Sequence, residues 1–190
     1  QERVDGVHLG NGETVAADLV IIGIGIVPNV ELAESCDIDV GNGIVVDDHC
    51  RTSDPKVYAI GDCTWHPNSI LGHELRLESV HNALEQAKTA AGNICGEDLA
   101  YSQVPWFWSD QYDLKLQIAG LSQGFDQTVT RGEPSSHAFS VLYLRDGQVI
   151  AIDAVNSPKD FIQAKPLIAS RAQIDPDRLA DSDIALKDMV

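Results

Sequence analysis

Before residue 78 the apolar positions come in short runs rather than at helical spacing. Residues 4–9 and 14–16 flank Asn11-Gly12, a dipeptide suited to a tight hairpin turn. The next run, Ala17-Asp18-Leu19-Val20-Ile21-Ile22-Gly23, predicts a strand buried on both faces. Residues 30–36 predict a short helix, and residues 43–46 begin a further hairpin. A second apolar run, 57–60, predicts another buried strand that ends abruptly in Gly61-Asp62. Residues 65–72, with Pro67, Asn68 and Gly72, predict a loop.

From 78 to 95 the period changes. Val80, Ala83, Leu84, Ala87, Ala90, Ala91 and Ile94 recur at three- and four-residue steps, which predicts a helix packing its alanine-rich face on a sheet or another helix. Ser79 is placed to cap its start and Gly96 to end it. Beyond Tyr101 the pattern predicts strands at 114–119, 128–130, 138–144 and 148–153, the last two joined by the hairpin signal Asp146-Gly147. Ser157-Pro158 opens a helix toward Ser170, with a kink expected at Pro166, and Asp175-Pro176-Asp177 starts a last short one. An antiparallel sheet with helices at its end makes this part a separate α+β domain.

Composition narrows the function classes. A chain of 190 residues, 44% apolar, can bury one good core, and no stretch is long and uncharged enough to span a membrane. The formal charge of −16, from 29 acidic and 13 basic residues, would be repelled by nucleic-acid phosphates and by anionic lipid, so neither is an expected partner. Cys36, Cys50, Cys63 and Cys95 show no Cys-x-x-Cys spacing, and the histidines show no metal-ligand spacing. Reduced thiols in a cytoplasmic protein without a metal site are the expectation. The chain opens at Gln1 inside a strand-rich segment, as expected of the carboxyl-terminal part of a longer protein.

Three local patterns carry candidate chemistry. Gly61-Asp62 ends an expected strand, the place where open α/β sheets bind ligands; glycine allows close approach and the carboxylate accepts hydrogen bonds from hydroxyls. The helix start at Ser79-Val80 offers unpaired N–H groups and a partial positive charge, although Ser79 as a simple cap explains the same residues. Trp106 and Trp108 alternate on an expected strand and share a face, with Phe107 on the other, which suits packing anchors equally well. Gly23-Ile24-Gly25, with Asp47 and Asp48 some way on, imitates a dinucleotide fingerprint. Pro28 stands where the third glycine belongs, so it is not read as a phosphate cradle.

In this order and spacing, Tyr58-Ala59-Ile60-Gly61-Asp62, Glu78-Ser79-Val80-His81-Asn82-Ala83 and Pro105-Trp106-Phe107-Trp108-Ser109-Asp110-Gln111-Tyr112 resemble the FAD-dependent ferredoxin reductases of bacterial Rieske-type oxygenases and P450 systems. That family, of putidaredoxin and biphenyl dioxygenase ferredoxin reductase type, lies in the pyridine nucleotide-disulfide oxidoreductase superfamily, with rubredoxin reductases close by. The resemblance implies a reductase that passes electrons from NAD(P)H through FAD to a 2Fe–2S ferredoxin or rubredoxin, and a homodimer is compatible with it. It puts Gly61 and Asp62 at the ribityl and pyrophosphate part of FAD, Ser79 and Val80 at the pyrimidine edge, and Trp108 near the isoalloxazine. No side chain is implied as a catalytic acid, base or nucleophile. Gly23-Ile24-Gly25-Ile26-Val27-Pro28-Asn29 resembles the family's crossover from the NAD domain back to the FAD domain.

The implied fold is an α/β FAD/NAD(P)-binding domain remnant followed by an α+β carboxyl-terminal reductase domain with an antiparallel sheet. Its divisions fall at 1–29, 30–104 and 105–190. Arg76 and Lys115 are candidate docking cations for an acidic ferredoxin. The His-Pro-Thr motif of disulfide reductases is absent, since His66-Pro67 is followed by Asn68. Competing readings are an NADH oxidase or apoptosis-inducing-factor-like flavoprotein, or an inactive apo interface module when this fragment stands alone. The family's Gly-rich cradles would precede Gln1, so no tight FAD binding is expected of this piece by itself.

Overall fold

The computed structural model describes residues 3–189. A first hairpin pairs β1 (Gly6–His8) with β2 (Thr14–Ala16), Val7 opposite Val15, across the expected Asn11-Gly12 turn. Residues 17–30 then depart from expectation and form no strand. Ile21 is 87% and Ile24 90% exposed, because nothing among the described residues covers either face of this run. After α1 (Glu31–Glu34) a small sheet runs in the order β3 (Val40–Gly41), β4 (Gly43–Val45), β5 (Thr64–Asn68), β6 (His73–Leu75). The loop expected over 65–72 is therefore largely strand and turn. Thr64, His66 and Asn68 point inward at alternate positions, and such buried polar residues give no hydrophobic alternation to read. Pro67 is tolerated because β4 pairs only as far as Trp65, leaving that stretch open on one side.

Helix α2 (Val80–Ile94) forms where expected, but its buried face is rotated away from the expected apolar stripe, of which only Ala90 is buried. Asn82, Gln86, Thr89, Ala90 and Asn93 are buried, whereas Val80 and Leu84 are each 57% exposed. Asn82, Gln86 and Asn93 are hydrogen-bonded to surrounding segments, which offsets their desolvation. At the far end of α2, Asn93 Nδ2 donates to the carbonyls of His49 and Leu99 at 3.1 and 2.9 Å. His49 adds an ionic clip, Nδ1 on Asp48 at 2.6 Å and Nε2 on Asp98 at 3.0 Å.

The hydrogen bond to Asp48 raises the His49 pKa above its ordinary 6.5; partial burial opposes this and Asp98 reinforces it. A raised folded pKa means the clip's contribution is complete below the unfolded value of about 6.5 and is lost as pH rises through the higher folded value. The melting-temperature gap between wild type and His49→Gln should therefore shrink as pH climbs from 6 to 9. A gap that stays constant over that range would show that the imidazolium is not what clips the two segments.

The larger sheet contains β7 (Trp106–Gln111), β8 (Leu114–Gly120), β9 (Gln127–Glu133), β10 (Ala138–Arg145) and β11 (Gln148–Val155), antiparallel in the order β7-β8-β11-β10-β9. At the β10–β11 turn Asp146 and Gly147 both take positive φ, 52° and 75°, which is why the sequence places Asp-Gly there. Helix α3 (Pro158–Ser170) runs on through Pro166, and α4 (Pro176–Ala180) follows. The core lies between one face of the sheet and α3. Leu142, Leu144 and Ile152 pack with Ala164, Leu167 and Ile168, closed by Leu179 and Leu186.

The fold is thus α+β, with open and mainly antiparallel sheets. This corrects the expectation of an α/β FAD/NAD(P)-binding remnant ahead of a distinct α+β sheet domain. Parallel pairing among the described residues is confined to 44–45 against 64–65. The two runs that should have supplied buried strands, 17–23 and 57–60, lack the covering layers a parallel sheet needs. Residues 57–60 contribute one isolated bridge, Arg51 to Tyr58.

Candidate functional site

The site is built around a turn pinned to a helix. Residues Gly61–Cys63 form a single 3-10 turn, entered by Gly61 at φ 82°, a conformation that strains any residue with a Cβ. Gln86, one and a half turns into α2 and fully buried, holds that turn in place. Its Oε1 accepts from Gly61 N–H at 2.7 Å, Thr64 Oγ1 at 3.0 Å and Asn82 Nδ2 at 3.3 Å. Asn82 is fixed in turn by Tyr101, whose hydroxyl donates to Asn82 Oδ1 at 2.9 Å. Burial pushes the pKa of the Tyr101 hydroxyl up, which favours its neutral, donating form.

The turn that carries Gly61 and Asp62 is thus held against the first turns of α2, the helix that Ser79 and Val80 open. Ser79 Oγ accepts from Asn82 N–H at 3.1 Å, so the capping role read from sequence is present. Among the described residues the N–H groups of Val80 and His81 have no acceptor, and the Asp62 carboxylate has no donor. The Asp62 carbonyl accepts from Arg76 Nη1 at 3.3 Å. Arg76 also pairs with Glu78 at 2.7 Å and its side chain is only 12% exposed, so it braces the site and is not a free docking cation. Lys115 remains exposed and without an ion-pair partner among the described residues.

Trp108 is reached through Trp106. The Trp106 ring lies 5.3 Å from the His81 ring, 5.5 Å from Trp108 and 5.7 Å from Phe161. Trp106 and Trp108 share a face of β7, and Phe107 is 46% exposed on the other. Ser79, Leu77, Pro105 and Trp106 border one hollow of about 110 Å³, which joins the helix start to the Trp-bearing strand. Lys165 Nζ sits 4.5 Å above Trp106 and 4.3 Å above Phe161, a cation held by aromatic faces. Burial lowers the pKa of both Lys165 and His81, and His81 Nδ1 is buried without a partner, which favours the neutral imidazole.

Sequence reasoning missed Gln86, Asn82 and Lys165. A signal for the first two existed: Asn82, Gln86, Thr89 and Asn93 follow the same helical spacing as the apolar residues that drew attention instead.

Residues 1–87 match the family model described as pyridine nucleotide-disulphide oxidoreductase, and residues 106–190 match reductase C-terminal. Over the whole chain the sequence is 48% identical to the ferredoxin reductase subunit of 5,5'-dehydrodivanillate O-demethylase from Sphingobium sp.. It is 43% identical to putidaredoxin reductase from Pseudomonas putida. The chain spans less than half of each, 46% and 45% of their lengths. Among solved structures, the ferredoxin reductase for the CYP199A2 system from Rhodopseudomonas palustris superposes with TM-score 0.91 at 41% identity, over 97% of this chain and 46% of that one. The covalent putidaredoxin reductase–putidaredoxin complex gives 0.87 at 44% identity, over 94% and 43%.

Proposed function

Because the chain belongs to the pyridine nucleotide-disulphide oxidoreductase family, as a relative of the putidaredoxin reductase type, we propose that it supplies one wall of an FAD site in an NAD(P)H-dependent ferredoxin reductase. One observation carries this reading: Gln86 pins the turn that carries Asp62 to α2, and among the described residues the Asp62 carboxylate has no donor and the Val80 and His81 N–H groups at the start of α2 have no acceptor. An acceptor and a donor pair, side by side and open to solvent, suit a ligand with hydroxyls on one part and an electron-rich edge on another. FAD has both, so the residues fit it.

In this reading Asp62 accepts hydrogen bonds from ribityl hydroxyls, and the φ 82° turn at Gly61 lets the chain approach closely. Val80, with Ser79 capping behind it, offers its N–H and the helix dipole to the pyrimidine edge, where negative charge grows on reduction. Trp108 lies by the ring system and keeps water from it. Bound FAD would take two electrons from NAD(P)H and release them singly to a 2Fe–2S ferredoxin or rubredoxin. The relatives' names support that partner class; their length, about twice this chain's, supports a cofactor site completed by further protein. Exposed Leu84, Ile94 and residues 19–27 are apolar surface for that remainder to cover.

The test is Asp62→Ala in the full-length reductase. Loss of charge-assisted bonds to ribityl hydroxyls is expected to weaken FAD about 10- to 100-fold, with Asp62→Asn falling between. Flavin titration followed at its visible absorbance reads this directly, and unchanged affinity would remove Asp62 from the site. Ferredoxin-dependent cytochrome c reduction by the wild type separates the proposed activity from an oxidase, which would spend NAD(P)H on oxygen equally fast without ferredoxin.

A further inference from the structure

A second cavity, of about 340 Å³, lies between the β5–β6 turn and the larger sheet and takes no part in the proposed flavin site. Its floor and walls are apolar: the partly exposed Ile70, Leu71, Leu121 and Ile150 face it, backed by the fully buried Val149 and Ile168. Two guanidinium groups border it, from Arg145 at the end of β10 and Arg171 just past α3. Arg171 is fixed in position, since Nε and Nη2 both donate to the Ile70 carbonyl at 3.2 and 2.7 Å. Arg145 makes no side-chain hydrogen bond among the described residues, and neither arginine is in an ion pair there.

In a chain with 29 acidic and 13 basic residues, two unpaired arginines on one apolar hollow need a reason. Capping explains Arg171 alone: at φ 51° it ends α3, and its charge offsets the helix dipole. It says nothing of Arg145, which comes from a different element. We propose that this cavity binds a small organic monocarboxylate with an apolar body, an aromatic acid fitting best. The carboxylate lies between Arg145 and Arg171, and the body rests on Leu71, Leu121 and Ile150.

Guanidinium forks match planar carboxylates in geometry and charge, and bind them more strongly than neutral donors do. The volume falls in the range of small-ligand sites, and the dry floor rewards an apolar body that a bare inorganic ion lacks. Asp126 and Asp146 stand beside the Arg145 end, where Asp126 Oδ2 accepts from Asp146 N–H at 2.7 Å. Their charge opposes any anion there, and opposes one carrying more than one negative charge most strongly.

Isothermal titration of benzoate into the full-length protein tests this. Benzoate is expected to bind with a Kd of about 1 mM or tighter. Benzyl alcohol, with the body but no charge, and sulfate, with charge but no body, should each bind at least about tenfold more weakly. Arg145→Gln removes a guanidinium the fold does not use and should weaken benzoate about tenfold at an unchanged melting temperature. Gln123→Glu places a negative charge at the exposed rim and should weaken it likewise, giving an independent reading if the first variant misfolds. The assignment is overturned if benzoate shows no saturable binding below about 10 mM. It is overturned equally if either well-folded variant binds benzoate as wild type does, or if sulfate matches benzoate.

Discussion

Gln86→Leu is expected to destabilise the protein by about 2–4 kcal/mol, a large effect for one uncharged side chain. Leucine fills the volume but removes the oxygen on which Gly61 N–H, Thr64 and Asn82 converge. Thr64 keeps the Gly61 carbonyl at 2.9 Å and Asn82 keeps the Leu77 carbonyl at 3.3 Å, so these two recover part of what they lose. Gly61 N–H does not; it becomes a buried donor with no acceptor, and leaving such a group unmade costs more than a bond is worth. Gln86→Glu is the informative contrast. Gln86 Nε2 has no partner to lose, and the acceptor survives, so the turn stays pinned while a buried carboxylate adds its own desolvation. Urea unfolding of both variants reads the stability. In the full-length protein, flavin titration is expected to show weaker binding for leucine, because the turn carrying Asp62 loses its anchor to α2. A leucine variant within about 0.5 kcal/mol of wild type would show that Gln86 does not hold the turn.

Helix α2 shows what the sequence made legible and what it hid. Its span was readable from Ser79, Gly96 and the three- and four-residue recurrence, and it forms at Val80–Ile94. Its orientation was not, because the apolar stripe rule assumes that the chain itself supplies the covering surface. Here Val80, Leu84 and Ile94 face outward, while Asn82, Gln86 and Asn93 tie to Tyr101, Gly61 and His49 far along the chain. The same assumption misplaced residues 17–23, apolar enough for a buried strand but uncovered among the described residues. Where local chemistry alone decides, as at Asp146-Gly147 or the Ser79 cap, sequence and structure agree. Gly61-Asp62 and Ser79-Val80 were visible as candidates for that reason, since each is a short backbone signal. Gln86 was not, because its partners become neighbours only after folding.

Arg131→Met is expected to cost about 3–5 kcal/mol, the largest stability loss predicted for a single side chain here. Arg131 is only 2% exposed on β9 and gathers the carboxyl-terminal segment onto the sheet. Nη1 donates to the carbonyls of Leu179 at 2.6 Å and Asp181 at 2.7 Å, and Nη2 to Ile184 at 2.9 Å. Nε reaches Asp160 Oδ2 at 3.3 Å, an oxygen that also accepts from Ser140 at 3.0 Å. Methionine matches the length of the stem but strands three carbonyls and leaves Asp160 without its counter-charge. A lysine keeps the charge yet cannot spread three bonds over separate carbonyls, so Arg131→Lys should recover less than half of the loss. Asp160→Asn, which keeps an acceptor, should cost clearly less than Arg131→Met. The damage should also be directional: Leu179 and Leu186 are 0% exposed only while this segment is docked, so limited proteolysis is expected to cut beyond residue 175 first. Cleavage that begins elsewhere, or an Arg131→Met protein that unfolds within about 1 kcal/mol of wild type, would mean that apolar packing alone docks the segment and that the buried guanidinium is dispensable.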